Sequence, residues 1–131
     1  PREGLQLALV RADFRMGRAY AETILSADPE NPDANFAMGM FYHGERQLSR
    51  AEEYLRRCLV RKPNEPAVYN NLAMIQIEQC KFRAAAANVK RALELLPDST
   101  AVQETRKALV AAIRKEKNRQ NTAGKKPVAA K

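Results

Sequence analysis

The sequence predicts an all-α chain, a solenoid of about three helix-turn-helix hairpins followed by a C-terminal capping helix. Three observations lead there. Prolines recur at a fixed interval, at Pro29, Pro63 and Pro97. A constant interval of that size, about 34 residues, marks a stacked repeat of small supersecondary units. Apolar residues inside each interval recur at three and four residues, as in Met38, Phe41 and Tyr42 and then Leu55, Cys58 and Leu59, the spacing of an amphipathic helix. The composition agrees, with five Gly, no Trp and abundant Ala, Leu, Arg and Glu, residues that lose little side-chain freedom in a helix.

Aligned on their prolines, "RADFRMGRAYAETILSADP", "ERQLSRAEEYLRRCLVRKP" and "EQCKFRAAAANVKRALELLP" superpose, and "DANFAMGMFYHGERQL" superposes on "AVYNNLAMIQIEQCKF". Each unit reads as two helices. The first is expected near 33–44 and again near 67–78, the second near 49–61 and 83–95. Two helices folded tightly on each other need small side chains where they cross, so Gly39 is placed opposite Ala51 and Ala73 opposite Ala85. The closing proline stops the second helix, since it lacks an N–H and disfavours helix in the residue before it. The first segment begins at Pro1 with a shortened first helix, and Leu5 stands where a small residue is usual. After Pro97 a capping helix is expected over about 100–116. Asp98, Ser99 or Thr100 is available to cap it, and Val102, Thr105, Ala108, Leu109, Ala112 and Ile113 form its apolar side.

In these residues the chain resembles the tetratricopeptide repeat family, whose unit is about 34 residues long. The middle copy matches the family pattern with Asn35, Met38-Gly39, Tyr42, Ala51, Leu55, Cys58 and Pro63. The next matches it with Tyr69, Leu72-Ala73, Gln76, Ala85, Val89, Ala92 and Pro97. The first keeps its second half, with Phe14, Gly17, Ala21, Ile24 and Pro29. The resemblance implies a right-handed α-solenoid over residues 1–114, with repeats ending near 29, 63 and 97. It also implies a non-catalytic scaffold or adaptor that binds a peptide segment or helix of a partner protein in a concave groove lined by the first helix of each repeat. Carried over position by position, the groove residues are Asp33, Phe36, Met40 and His43, then Asn70, Met74 and Ile77, with Ala67 beside them. Gln6 and Leu9 are the counterparts in the first copy, and Ala101, Glu104 and Ala108 in the last helix. Phe36, Met40, Met74 and Ile77 would form an apolar strip beyond what hairpin packing needs, and Asn70 a partner for a peptide amide. Gripping a peptide carboxylate would require Lys, Arg and Asn on this surface. Of those, only Asn71 is in place.

The net charge of +8 is unevenly spread. Residues 114–131 carry seven basic groups against Glu116 alone, whereas residues 1–113 carry 16 basic and 14 acidic groups. The body is nearly neutral, and 115–131 reads as a basic, disordered tail. An alternative function therefore places nucleic-acid or anionic-membrane contact in that tail, although it has no aromatic residue to stack on bases. A second alternative is a piece of a longer repeat protein joined to another functional domain, and further sequence upstream of Pro1 is an expectation. No enzyme is expected. The single histidine, His43, has no metal-ligand spacing around it, no nucleophile motif or phosphate loop is present, and adjacent Glu52 and Glu53 read as a solvated face. No catalytic residue, metal or cofactor is assigned. Cys58 and Cys80 are expected as free thiols, fitting a reducing, cytoplasmic setting, with a processed periplasmic or secreted chain as the alternative. Within "FRAAAAN", Ala85 is the crossing residue and Ala84, Ala86 and Ala87 are free of that constraint. Ala85→Leu should therefore lower stability by about 1–3 kcal/mol through overpacking, and a thermal midpoint equal to wild type would refute that placement.

Overall fold

The repeat boundaries follow from local chemistry that recurs at the same offset. Asn31 precedes Pro32 and its Oδ1 accepts from Ala34 N at 3.0 Å. Ser99 holds the matching place before Thr100, its Oγ accepting from Val102 N at 3.3 Å. Proline is favoured at the first helical position because its missing N–H would be unbonded there anyway. At the other end, Lys62 and Leu96 adopt extended backbone, φ −123° and −136°, as the residue before a proline must.

The computed structural model describes residues 2–124, with side chains from 15 onward. Among them are six helices and no strand: α1 (Arg2–Ala27), α2 (Pro32–Gly44), α3 (Leu48–Arg61), α4 (Pro66–Glu78), α5 (Phe82–Leu95) and α6 (Thr100–Gly124). None is long and apolar enough to cross a membrane. The chain is all-α, as its composition and periodicity predict. Two findings differ from the sequence reading. Arg2–Ala27 is one continuous helix, so the first segment supplies a single long helix rather than a shortened hairpin; no proline between Arg2 and Ala27 interrupts it. The last helix does not end near 116 but continues to Gly124. No Gly or Pro stands in its path before that residue, Arg119 Nη2 bonds Glu116 Oε1 at 2.6 Å, and Thr122 Oγ1 donates to the Asn118 carbonyl at 2.9 Å. Residues 115–124, expected as disordered tail, are therefore helical, and 125–131 lie outside the described residues.

The helices form two compact units, Pro1–Val68 and Tyr69–Lys131. In the first, α2 and α3 fold on each other around Gly39. A Cβ placed there would stand 2.9 Å from Leu55 Cδ2 and 3.3 Å from the Ala51 carbonyl oxygen. Ala51 and Leu55 are fully buried, with Met38, Tyr42 and Cys58 around them. The Tyr42 and Tyr54 rings stack at 5.4 Å across the same hairpin, within the favourable range for offset aromatic pairs. Burying a side chain such as Leu55 stabilises by about 1.5–3 kcal/mol.

In the second unit the corresponding core holds Ala73, Ala85, Val89 and Ala92, with Val102 and Leu109 contributed by α6. The main contacts of the α2–α3 hairpin have counterparts one repeat further on, built from different atoms. Where Gly39 meets Leu55, the second unit has Ala73 and Val89. The two pairs hold the same number of side-chain carbons, with one moved across the crossing. Where Tyr42 stacks on Tyr54, Asn88 Nδ2 donates to Gln76 Oε1 at 2.7 Å. The turns match as well. Arg46 and Cys80 both take positive φ, 63° and 59°, and the next residues, Gln47 and Lys81, donate back to the Tyr42 and Gln76 carbonyls at 2.9 and 2.8 Å, the 6→1 bond of a Schellman turn.

Gly39→Ala gains helix propensity of about 1 kcal/mol, but its methyl group would stand 2.9 Å from both Cγ and Cδ2 of the fully buried Leu55, which must shift to admit it, so the net effect should be destabilising. Adding Leu55→Val imports the pair used in the next repeat. The double variant should recover much of the loss, with a favourable coupling of about 0.5–3 kcal/mol in a denaturation cycle. Strictly additive losses would refute the volume exchange.

Candidate functional site

The residues assigned from the sequence to partner binding lie on the first helices of the two hairpins. On α2, Asp33, Phe36, Met40 and His43 are spaced by three and four, so they share one helix face. Asp33 is exposed and held by Lys62 Nζ at 3.3 Å. Phe36, Met40 and His43 are half-buried. Phe36 lines a small cavity of about 170 Å³ at the base of the hairpin, with Cys58, Lys62, Glu65 and Val68 on its other walls. Burial pushes the Cys58 thiol up, with the Glu65 carboxylate adding to the effect, so this sulfur is a packing group.

On α4, Asn70, Met74 and Ile77 share a face in the same way. Met74 is exposed, 39% of its surface open. Ile77 is half-buried and packs against the core of its unit, so it belongs in part to the hairpin, contrary to the reading that placed it outside the packing. The Asn70 side-chain oxygen is enclosed and accepts no hydrogen bond from the protein, so as it stands this acceptor is turned inward. Ala67, Ala101, Glu104 and Ala108 are exposed, and Glu104 is paired with Lys107 at 3.3 Å. The side chains of Gln6 and Leu9 lie outside the described residues.

Glu52 does not share the solvated face expected for it with Glu53. It is buried, 5% exposed, whereas Glu53 is exposed. Glu52 adjoins Ala51 and Leu55 on the inward edge of α3, and Arg56 Nη2 closes over its carboxylate at 2.8 Å. The spacing of 52 and 56 gives the ion pair, a carboxylate one turn ahead of a guanidinium, but not the burial, since Glu53 and Arg57 pair at the same spacing on the exposed side. Arg18 was missed for want of any local pattern. It lies 5.0 Å over the Tyr42 ring and bonds both Glu22 and Glu45, and folding alone brings Tyr42 and Glu45 to it. Among the described residues no group of three or more His, Cys, Asp or Glu could hold a metal ion.

The most regular ion pair ties the end of α1 to the end of α3. Arg61 Nη1 and Nη2 donate to the two carboxylate oxygens of Asp28 at 2.7 and 2.9 Å. The hydrogen bonds from Arg61 hold the Asp28 carboxyl below its ordinary range and lift the guanidinium in turn.

Residues 32–65 match the family model described as tetratricopeptide repeat. Among curated proteins the chain is 28% identical over 86 residues to cellulose synthase operon protein C of Pseudomonas fluorescens (strain SBW25), a match covering 66% of this chain and 7% of that protein. The chain thus spans a small fraction of this relative's length. Among solved structures it is similar to MamA, with a TM-score of 0.63 and 21% identity over 80% of this chain and 66% of that one. At that identity the likeness carries the fold alone.

Because the Asp28 pKa is depressed in the folded state, the pair stabilises fully above the ordinary carboxylate range near pH ~4 and loses its effect as pH falls through the lower folded value. Arg61→Gln should return the Asp28 carbon-13 titration upward to the ordinary range. The stability difference from wild type should vanish at the acid end. An unmoved titration midpoint would show that another group sets it.

Proposed function

We propose, with membership of the tetratricopeptide repeat family as the premise, that this protein-interaction module binds an extended or helical segment of a partner protein through the first helices of its hairpins. The carrying observation is the state of the apolar residues on those helices. Gly39 and Ala73 close the crossings on one side of α2 and α4. Phe36, Met40 and Met74 keep surface open on the other. Open apolar side chains in register on a helix face support a docking role, and methionine adapts to irregular partner surfaces. Asp33 adds a polar edge, although Lys62 already engages it. His43 and Ile77 contribute at the same register, Ile77 with only its uncovered part. Asn70 takes part only if its amide turns outward. The module carries no reaction in this reading, and its specificity comes from the partner segment's side chains.

Phe36→Ala with Met74→Ala should weaken capture of a partner about tenfold or more, because both changes remove open contact area without entering the crossings. Circular dichroism and the thermal midpoint should stay near wild type. Unchanged capture by a folded variant would exclude these faces.

A further inference from the structure

A second surface is built by the last two helices, from residues other than those assigned above. Between α5 and α6 runs a furrow of about 480 Å³. Its floor is apolar, formed by Ala86, Val89, Leu93 and Leu109, and its flanks carry Lys90, Glu94 and Arg106. The one acid there, Glu94, is engaged by Arg91 at 3.3 Å, which leaves Lys90 and Arg106 to set the sign of the rim. Arg106 is shared with a second hollow along α6 that adds Lys107, Val110 and Arg114. Val110 is 42% exposed there. Together these place open apolar surface beside Lys90 on α5 and Arg106 and Arg114 on α6.

Three candidates for covering this surface are a further repeat helix, residues 125–131 and a second copy of the chain, and charge or shape disfavours each. A further second helix packed like α3 or α5 would need a small residue at the crossing. Arg106-Lys107 stand one repeat after Leu72-Ala73 and two after Met38-Gly39, so a lysine occupies the slot where the other hairpins have glycine and alanine. Residues 125–131 carry Lys125, Lys126 and Lys131 and no acid, so they repel the rim. A second copy of α6 presents Arg106 and Arg114 again, like against like.

We propose that the α5–α6 furrow receives an amphipathic helix of a partner protein whose apolar stripe is bordered by acidic residues. The stripe seats on Ala86 and Leu93, over the buried Val89 and Leu109, and Lys90 and Arg106 meet the acids, with Arg114 further along α6. Desolvated apolar contact holds the helix, and opposite charge selects it and sets its orientation. The exposed Ala86, where the preceding repeat has Glu52, keeps the floor low enough for a helix to approach.

The experiment uses the full chain and two labelled synthetic helical peptides with the same leucine stripe, one flanked by glutamates and one by lysines, followed by fluorescence anisotropy. The glutamate peptide should bind at least about tenfold more tightly than the lysine peptide, and less tightly as salt rises. Lys90→Glu with Arg106→Glu, both exposed positions, should reverse that preference while leaving circular dichroism unchanged. Phe36→Ala with Met74→Ala should bind the glutamate peptide as wild type does, which separates this surface from the α2 and α4 faces. Equal binding of both peptides, no binding of either, or indifference to charge reversal would overturn the proposal. So would sedimentation showing a dimer that Arg106→Glu dissolves, since the furrow would then belong to a second copy.

Discussion

How closely two helices can approach depends on what stands between their backbones, and in this chain that constraint governs nearly everything else. Around Gly39 there is no room for even a methyl group while Leu55 holds its place. The next hairpin solves the same problem with Ala73 and Val89, moving one carbon from one helix to the other. Interiors packed to crystal density feel a change of one methylene, so a carbon gained on one side must be given up on the other. The pairs at 42 and 54 and at 76 and 88 show the same freedom in chemistry. Two stacked rings and one amide hydrogen bond bridge the helices at equivalent positions.

Once the crossing is set, the rest of each hairpin follows at low cost. The Schellman-type turn brings the second helix back, and it does so at Arg46 and Cys80 without glycine. A left-handed residue with a side chain is unfavourable in isolation, so these turns hold because the packed helices on either side require them. The prolines and caps then separate one unit from the next. The faces proposed for binding are those that the crossing does not consume. Met74 and Phe36 on the first helices, and the strip beside Arg106 on the last, are open because the small residues have already brought the backbones together elsewhere.

Much of the architecture was legible in the linear pattern, because the repeat puts the same demand on the same position more than once. Gly39 with Ala51, and Ala73 with Ala85, could be paired by register alone, and Pro63 and Pro97 marked the ends of α3 and α5. Where only one copy exists the pattern was silent or misleading. Analogy with the later segments divides Arg2–Ala27, yet no proline within it stops a helix. Charge alone makes Lys115 to Gly124 a tail, yet its charges are spaced for a helix, with Glu116 three residues before Arg119. On the candidate faces of α2 and α4, register could say which residues share a side but not how deeply each is sunk. Ile77 and Asn70 turned partly inward for that reason.

The sequence by itself determined the class, the period, the crossing residues and the helix stops, since these depend on side-chain size and backbone chemistry at fixed offsets. Tertiary structure alone decided which charges are buried and which apolar residues stay open. Glu52 and Glu53 are neighbours in the chain and opposites in environment. Arg18 finds Tyr42 and Glu45, and Asp28 finds Arg61, across distances that no periodicity encodes. Burial is a property of what covers a residue, and the covering elements are not its neighbours in sequence.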